Sequence, residues 1–388
     1  MRRKLIVVLI LATCLGPARG SDETPTDQLR GLRQELVAAR KQHQEAEARA
    51  GTDQERDEAG ASYRAHADAI TDRALDLAQA LPNDLAAFDA LIFVVEEVRI
   101  GAGRAMQTLA RDFITSPRLV EACRAADHAP ISDAESAELL LRAIAERGPD
   151  RRSQGFAIYN LARNLKARAE AVRDFAAFPA KAEPFRHTYR FTAEEFARYR
   201  SRTADDLEAE AAALYETTIA RFGDLTTRRT GTLGQIAAGE LWNVRHLAIG
   251  KLAPDIEGRD ADDQPLRLAD YRGKVVVLTF SGQWCGSCRA MYPDEGKLVE
   301  RLKDRPFALL SVASDADKET LRRALADETI TWPCWWDGGV DGPIAARWGI
   351  DTWPSIFILD AAGVIRARDV RGAELDATVD DLLREARG

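Results

Sequence analysis

At 388 residues, 46% hydrophobic and 30% charged, the chain is long enough for two or three domains and apolar enough to bury a large core. A single small module and a wholly disordered chain are excluded. The net charge of -8 offers no basic face that would displace counterions from a nucleic acid, so nucleic-acid binding is not expected.

At the start of the chain, Arg2-Arg3-Lys4, an apolar run from Leu5 to Leu15 and the small-residue site Ala18-Arg19-Gly20 have the layout of a secretory signal over residues 1–20. The apolar run is shorter than the roughly 20 residues that span a bilayer. The reading is export to the periplasm or cell envelope, with membrane contact confined to this segment. Two variants stay open: an uncleaved anchor, and a lipoprotein in which Leu11-Ala12-Thr13-Cys14 serves as a lipobox and Cys14 is lipidated.

Residues 21–248 are rich in Ala, Leu, Glu and Arg, with apolar residues three and four apart, which predicts an all-α domain. Leu29, Leu32 and Leu36 form one such stripe behind the cap pair Thr26-Asp27. A helix ending near Leu81 is broken by Pro82-Asn83-Asp84, and Asp84 caps the next one over 85–98. Pro149-Asp150 repeats the break before a stripe of Ile158, Leu161 and Leu165, and a further helix runs through Leu214 and Tyr215 to Gly223. The breaks recur at about twice a 34-residue helix-pair unit, so stacked pairs similar to tetratricopeptide-type repeats and an irregular bundle are both open.

Near Ile249 the texture changes. Runs rich in Val, Ile and Leu at 275–280, 307–312 and 356–359 predict buried strands, and helical segments at 286–302, 318–326 and 375–386 separate or follow them. Residues 249–388 therefore read as an α/β domain, and the whole chain as multidomain. Trp284-Cys285-Gly286-Ser287-Cys288 falls where the first strand turns into a helix. Two cysteines at this spacing can close a small disulfide ring, and N–H groups at a helix start lower the pKa of the first thiol. Cys285 is then the attacking nucleophile and Cys288 the resolving thiol. The redox group is the Cys285–Cys288 pair itself, with no separate cofactor. All five histidines lie before residue 249, Cys123 and Cys334 stand alone, and a metal site is not expected.

From these residues the C-terminal part resembles the thioredoxin superfamily, specifically its exported TlpA/ResA-like thiol-disulfide oxidoreductases. Gly250-Lys251-Leu252-Ala253-Pro254-Asp255, Tyr271-Arg272-Gly273-Lys274-Val275-Val276, the Trp284–Cys288 pentapeptide with Pro293 beyond it, and Trp348-Gly349-Ile350-Asp351-Thr352-Trp353-Pro354-Ser355 carry the likeness. It implies a thioredoxin fold, a cis peptide before Pro354, active-site support from Trp284, Gly286 and Ser287, and substrate pairing at Trp353. Trp353 is bulkier than the Thr or Val common there, so hindered access is expected. The buried acid six residues before the first cysteine is replaced by Thr279, and the acid three residues after the second by Met291. Water, Asp294 or Glu295 is left as the proton acceptor for Cys288. Peroxiredoxins share the lead-in motif, but the Pro and Thr or Ser they place seven and three residues before the reactive cysteine are here Leu278 and Gly282.

The resemblance implies a thiol-disulfide oxidoreductase exchanging disulfides with protein partners and an upstream electron donor. Gly286-Ser287 is close to the reducing thioredoxin dipeptide, which favours the reducing direction. The alternative is a helical interaction protein with a weakly active or redox-sensing thioredoxin-like domain, for which Thr279, Met291 and Trp353 speak.

Overall fold

The computed structural model describes residues 23–82, 84–227 and 231–386. The export segment read at 1–20, Cys14 included, lies outside the described residues. Two compact units divide between Phe113 and Ile114.

In the first unit, α1 (Pro25–Arg49) starts at Thr24, whose hydroxyl accepts the Asp27 N–H, and buries Leu29, Leu32 and Leu36. The cap is thus Thr24 and not the Thr26-Asp27 pair. Pro25 takes the first helical position, where its missing N–H costs nothing. A capping box between Thr52 and Glu55 opens α2 (Asp53–Ala80). Asp84 caps α3 (Leu85–Phe93), which runs on into a π-helical turn at Val94–Val98 and is followed by α4 (Ala102–Asp112).

The second unit opens with α5 (Leu119–Asp127), α6 (Ala134–Arg147) and α7 (Arg151–Ala177). It continues through α8 (Ala182–Thr188), α9 (Ala193–Tyr199), α10 (Ala204–Phe222) and α11 (Leu233–His246). Asp150 caps α7, the spine against which α5, α6 and α10 pack, and Leu161 and Leu165 face that core. These helices run from 7 to 27 residues.

A hairpin of β1 (Glu257–Arg259) and β2 (Pro265–Arg267) then leads to β3 (Val275–Ser281), α12 (Gly286–Leu302), β4 (Phe307–Ala313) and α13 (Lys318–Ala326). The chain closes with β5 (Cys334–Trp336), α14 (Pro343–Arg347), β6 (Ser355–Leu359), β7 (Ile365–Arg368) and α15 (Ala373–Glu385). The sheet has the order β5-β4-β3-β6-β7; β3, β4 and β5 are parallel, and β6 and β7 each run antiparallel to their neighbour. All seven residues of β3 are buried, as a strand covered on both faces requires. Val275 and Val277 face a core shared with α12 and α15, while Val276, Leu278 and Phe280 face Trp348, Phe357 and Leu247.

Leu247 ends α11, so the helices of the second unit reach into the sheet's own core. Arg368 at the end of β7 donates to the Leu247 carbonyl at 3.4 Å and lies 3.7 Å from Glu170 of α7. Gly349 sits in the left-handed region at φ 58°, and a β-carbon there would lie 2.7 Å from Asn243 Oδ1 of α11. The change of texture near Ile249 marks where helices give way to strands, and the two compact units divide after Phe113.

Leu247→Ala should lower stability by about 2–5 kcal/mol, because a fully buried leucine leaves a cavity in a core that cannot collapse completely. Urea unfolding followed by circular dichroism reads this, and a loss below about 1 kcal/mol would show that the helix end is only laid against the sheet.

Candidate active site

Where β3 ends, Gly282-Gln283-Trp284 turn the chain so that Cys285 becomes the N-cap of α12. Its Sγ accepts the Cys288 N–H at 3.1 Å, one of the helix's otherwise free donors. Ser287 Oγ lies 3.3 Å from the same sulfur. Cys285 and Cys288 are joined in a disulfide, with an S–S separation of 2.16 Å. Cys285 is 6% exposed and Cys288 1%, so what attack the fold allows from solvent falls on Cys285. Gly286 and Ser287 are exposed on the first turn, and Trp284 is 52% exposed beside them.

The turn is held from the end of β4. Ser314 donates its N–H to the Ser281 carbonyl at 2.8 Å, its own carbonyl accepts the Trp284 indole at 2.9 Å, and its hydroxyl accepts the Trp353 indole at 3.0 Å. The Asp315 carboxylate accepts the Gln283 N–H at 2.8 Å, and the Asp315 carbonyl accepts the Trp336 indole at 2.9 Å. Burial pushes the Asp315 carboxyl upward, and the N–H groups of Gln283 and Trp284 oppose that shift. Gly282 is required here, since a β-carbon would fall 2.4 Å from the Trp284 indole nitrogen. This hub escaped the sequence reading. Its one available signal was the position of Ser314-Asp315 at the carboxyl end of a parallel strand, where open α/β sheets place their functional crevice.

Pro354 follows a cis peptide bond from Trp353, as the resemblance implied. Trp353 packs edge-on to Trp284, ring centres 5.6 Å apart, and its indole is turned down onto Ser314. Thr279 stands where the family's acid would be and shares a 2.7 Å hydrogen bond with Ser311, which also accepts the Trp332 indole. Of the acids left as acceptors for Cys288, Asp294 is exposed and paired with Lys297 at 2.8 Å. Glu295 is 3% exposed, and burial pushes its carboxyl up to about 7. Cys123 and Cys334 are buried free thiols, and burial pushes both well above the ordinary thiol range.

A CxxC disulfide capping the helix after a central strand, beside a cis-proline loop, defines a thioredoxin-fold dithiol site. The AhpC/TSA family matches residues 249–368. The thioredoxin-like protein YneN of Bacillus subtilis is 32% identical over 119 residues, 30% of this chain and 68% of that protein. The thiol-disulfide oxidoreductase ResA of Bacillus thuringiensis is 24% identical over 139 residues, 36% of this chain and 79% of that one. Among solved structures, the thioredoxin domain of a thiol-disulfide oxidoreductase from Bacteroides vulgatus is 28% identical, covers 35% of this chain and 98% of its own, and has a TM-score of 0.33. The chain belongs to the thioredoxin-like family, with a ResA-type oxidoreductase domain at its C-terminal end.

Asp315→Ala should leave the half-buried Gln283 N–H without its acceptor, at a cost of about 1–3 kcal/mol. It should also loosen Trp284, which tryptophan fluorescence anisotropy reads; an unchanged anisotropy would show that the clamp does not order the turn. Glu295 gives a pH prediction. Its carboxyl binds a proton more tightly folded, near 7, than unfolded, near 4.5. The folded chain therefore loses about 3 kcal/mol of stability as pH rises across that interval. Glu295→Leu should gain most above pH 7 and progressively less toward about pH 4.5. A gain independent of pH in urea unfolding would contradict this.

Proposed function

We propose that the chain is an exported thiol-disulfide oxidoreductase that reduces disulfides of protein partners through Cys285 and Cys288. The observation that carries this reading is the Cys285 sulfur at the N-cap of α12, accepting the Cys288 N–H, where an anion is stabilised by the helix end. In the reduced chain the Cys285 thiolate attacks one sulfur of a partner disulfide, forming a mixed disulfide and releasing the partner's other sulfur as a thiolate. The Cys288 sulfur, having lost its proton, then attacks Cys285. The Cys285–Cys288 bond closes, and the partner leaves with both sulfurs reduced. An upstream dithiol donor reverses these steps on the chain.

No prosthetic group is needed, because the two electrons are stored in the two sulfurs. Export rests on the layout of residues 1–20, with Cys14 as the alternative lipid anchor and that segment as the sole membrane contact. Among the described residues no helix is long and apolar enough to cross a membrane. The helices serve as a docking or oligomerising arm, and nucleic acid plays no part. Thr279 and Met291 in place of the family's acids favour a second reading, in which the domain is a weakly active or redox-sensing clamp on a helical interaction protein.

Cys288→Ser should trap partners as mixed disulfides through Cys285, while Cys285→Ser should trap none. An empty trap in a substrate-rich extract counts against the enzyme. Reduction of insulin decides between the readings: repeated turnover supports the oxidoreductase, and a single stoichiometric round supports the clamp. The reducing direction predicts a reduction potential near the roughly -270 mV of thioredoxin, and a value near -120 mV would reverse it.

A further inference from the structure

We propose that Glu295 takes up a proton when the Cys285–Cys288 disulfide is reduced and releases it on oxidation, tying the redox couple to a buried carboxyl of the same helix. The inference rests on the dithiol reading above and adds the place where its proton is held.

Cys288, Tyr292, Glu295, Leu298 and Leu302 recur along α12 at helical spacing and are all buried, so they share the face turned toward the sheet. Glu295 is the one acid on that face. It is 3% exposed and has neither a hydrogen bond nor an ion pair among the described residues. A buried carboxylate in that condition is costly, and an apolar residue would pack there without the cost.

Glu295 also lines a cavity of about 470 Å³ between α12 and the start of α15, formed by Met291, Leu298, Gly372 and Leu375 and rimmed by charged groups. The rim charges on α12 are Asp294, Lys297 and Arg301, and Asp376 is on α15. They are engaged with one another: Lys297 with Asp294, and Arg301 with Asp376 and Asp380. On the sheet side, Tyr292 and the Cys334 thiol of β5 sense the Glu295 charge, and Asp315 acts on both from the end of β4. No cation among the described residues neutralises Glu295. The cavity gives its carboxyl a path for proton exchange toward the solvated rim.

The balance of the step is as follows. A partner dithiol supplies two electrons and two protons, its own sulfurs join, and the Cys285–Cys288 bond breaks. Cys288 keeps one proton as a thiol, Cys285 remains a thiolate, and the second proton goes to the Glu295 carboxylate. The core then carries one negative charge before and after reduction, moved from carboxylate to sulfur. Glu295 lies ten residues beyond Cys285, about 15 Å along the helix. At an effective dielectric near 20, two charges at that range shift each other's equilibria roughly sixfold. With the disulfide closed, burial already holds the Glu295 carboxyl at about 7.

The test equilibrates the full chain and its Glu295→Gln variant with dithiothreitol redox buffers from about pH 5 to 9, reading the reduced fraction by thiol alkylation and mass. In the natural chain the reduction equilibrium should shift by an additional factor of roughly six between about pH 7 and 8, equivalent to about 23 mV for two electrons. The variant should lack that step, and above pH 7 its Cys285 thiol should ionise roughly sixfold more readily, seen in thiolate absorbance. Coincident pH profiles would overturn the proposal. Should Glu295→Gln not fold, Glu295→Leu takes its place. Difference infrared spectra of the natural chain near pH 7.5 must then gain a protonated-carboxyl band on reduction, and absence of that band overturns the proposal equally. A chain whose two cysteines do not cycle at all would instead remove the dithiol reading on which this rests.

Discussion

A sulfur sits where a helix begins and takes up one of the N–H groups the helix cannot satisfy itself. Cys123 and Cys334 hold no such position, and burial among apolar side chains opposes their ionisation. The turn before the helix is held from two sides. β3 supplies one anchor, fully buried and paired on both edges. Ser314 and Asp315 supply the other, holding Ser281, Gln283, Trp284 and Trp353 from the neighbouring strand. The same dipeptide thus places the turn before Cys285 and the cis-proline loop against a common support.

Much of this was legible along the chain. The strands at 275–280, 307–312 and 356–359 and the helices at 286–302 and 318–326 lie where periodicity and β-branching put them, because those patterns reflect which faces are buried. The breaks at Pro82 and Pro149, with Asp84 and Asp150 as the caps that follow, are local chemistry and were equally readable. Thr24 in place of Thr26 as the first cap shows the limit: both are good caps, and the presence of Pro25 decides between them.

What escaped the reading depends on pairs far apart in sequence. Nothing near Ser314 announces that its carbonyl and hydroxyl will each receive an indole from 30 and 39 residues away. For Trp353 the size was visible and the orientation was not. Glu295 looked like one of two adjacent acids. Only the helix's docking on the sheet turned Asp294 to solvent and Glu295 to the core. Leu247 likewise read as the last residue of a helical region, while packing made it part of the sheet's own core.

By itself the sequence determined the elements, the dithiol and its place at a strand-to-helix turn, since these follow from local spacing, capping and side-chain type. The tertiary structure decided which acid is buried, which way the tryptophans face and where the compact units divide. Those outcomes depend on surfaces brought together across long stretches of chain, where burial and pairing are properties of the assembled fold and no local pattern encodes them.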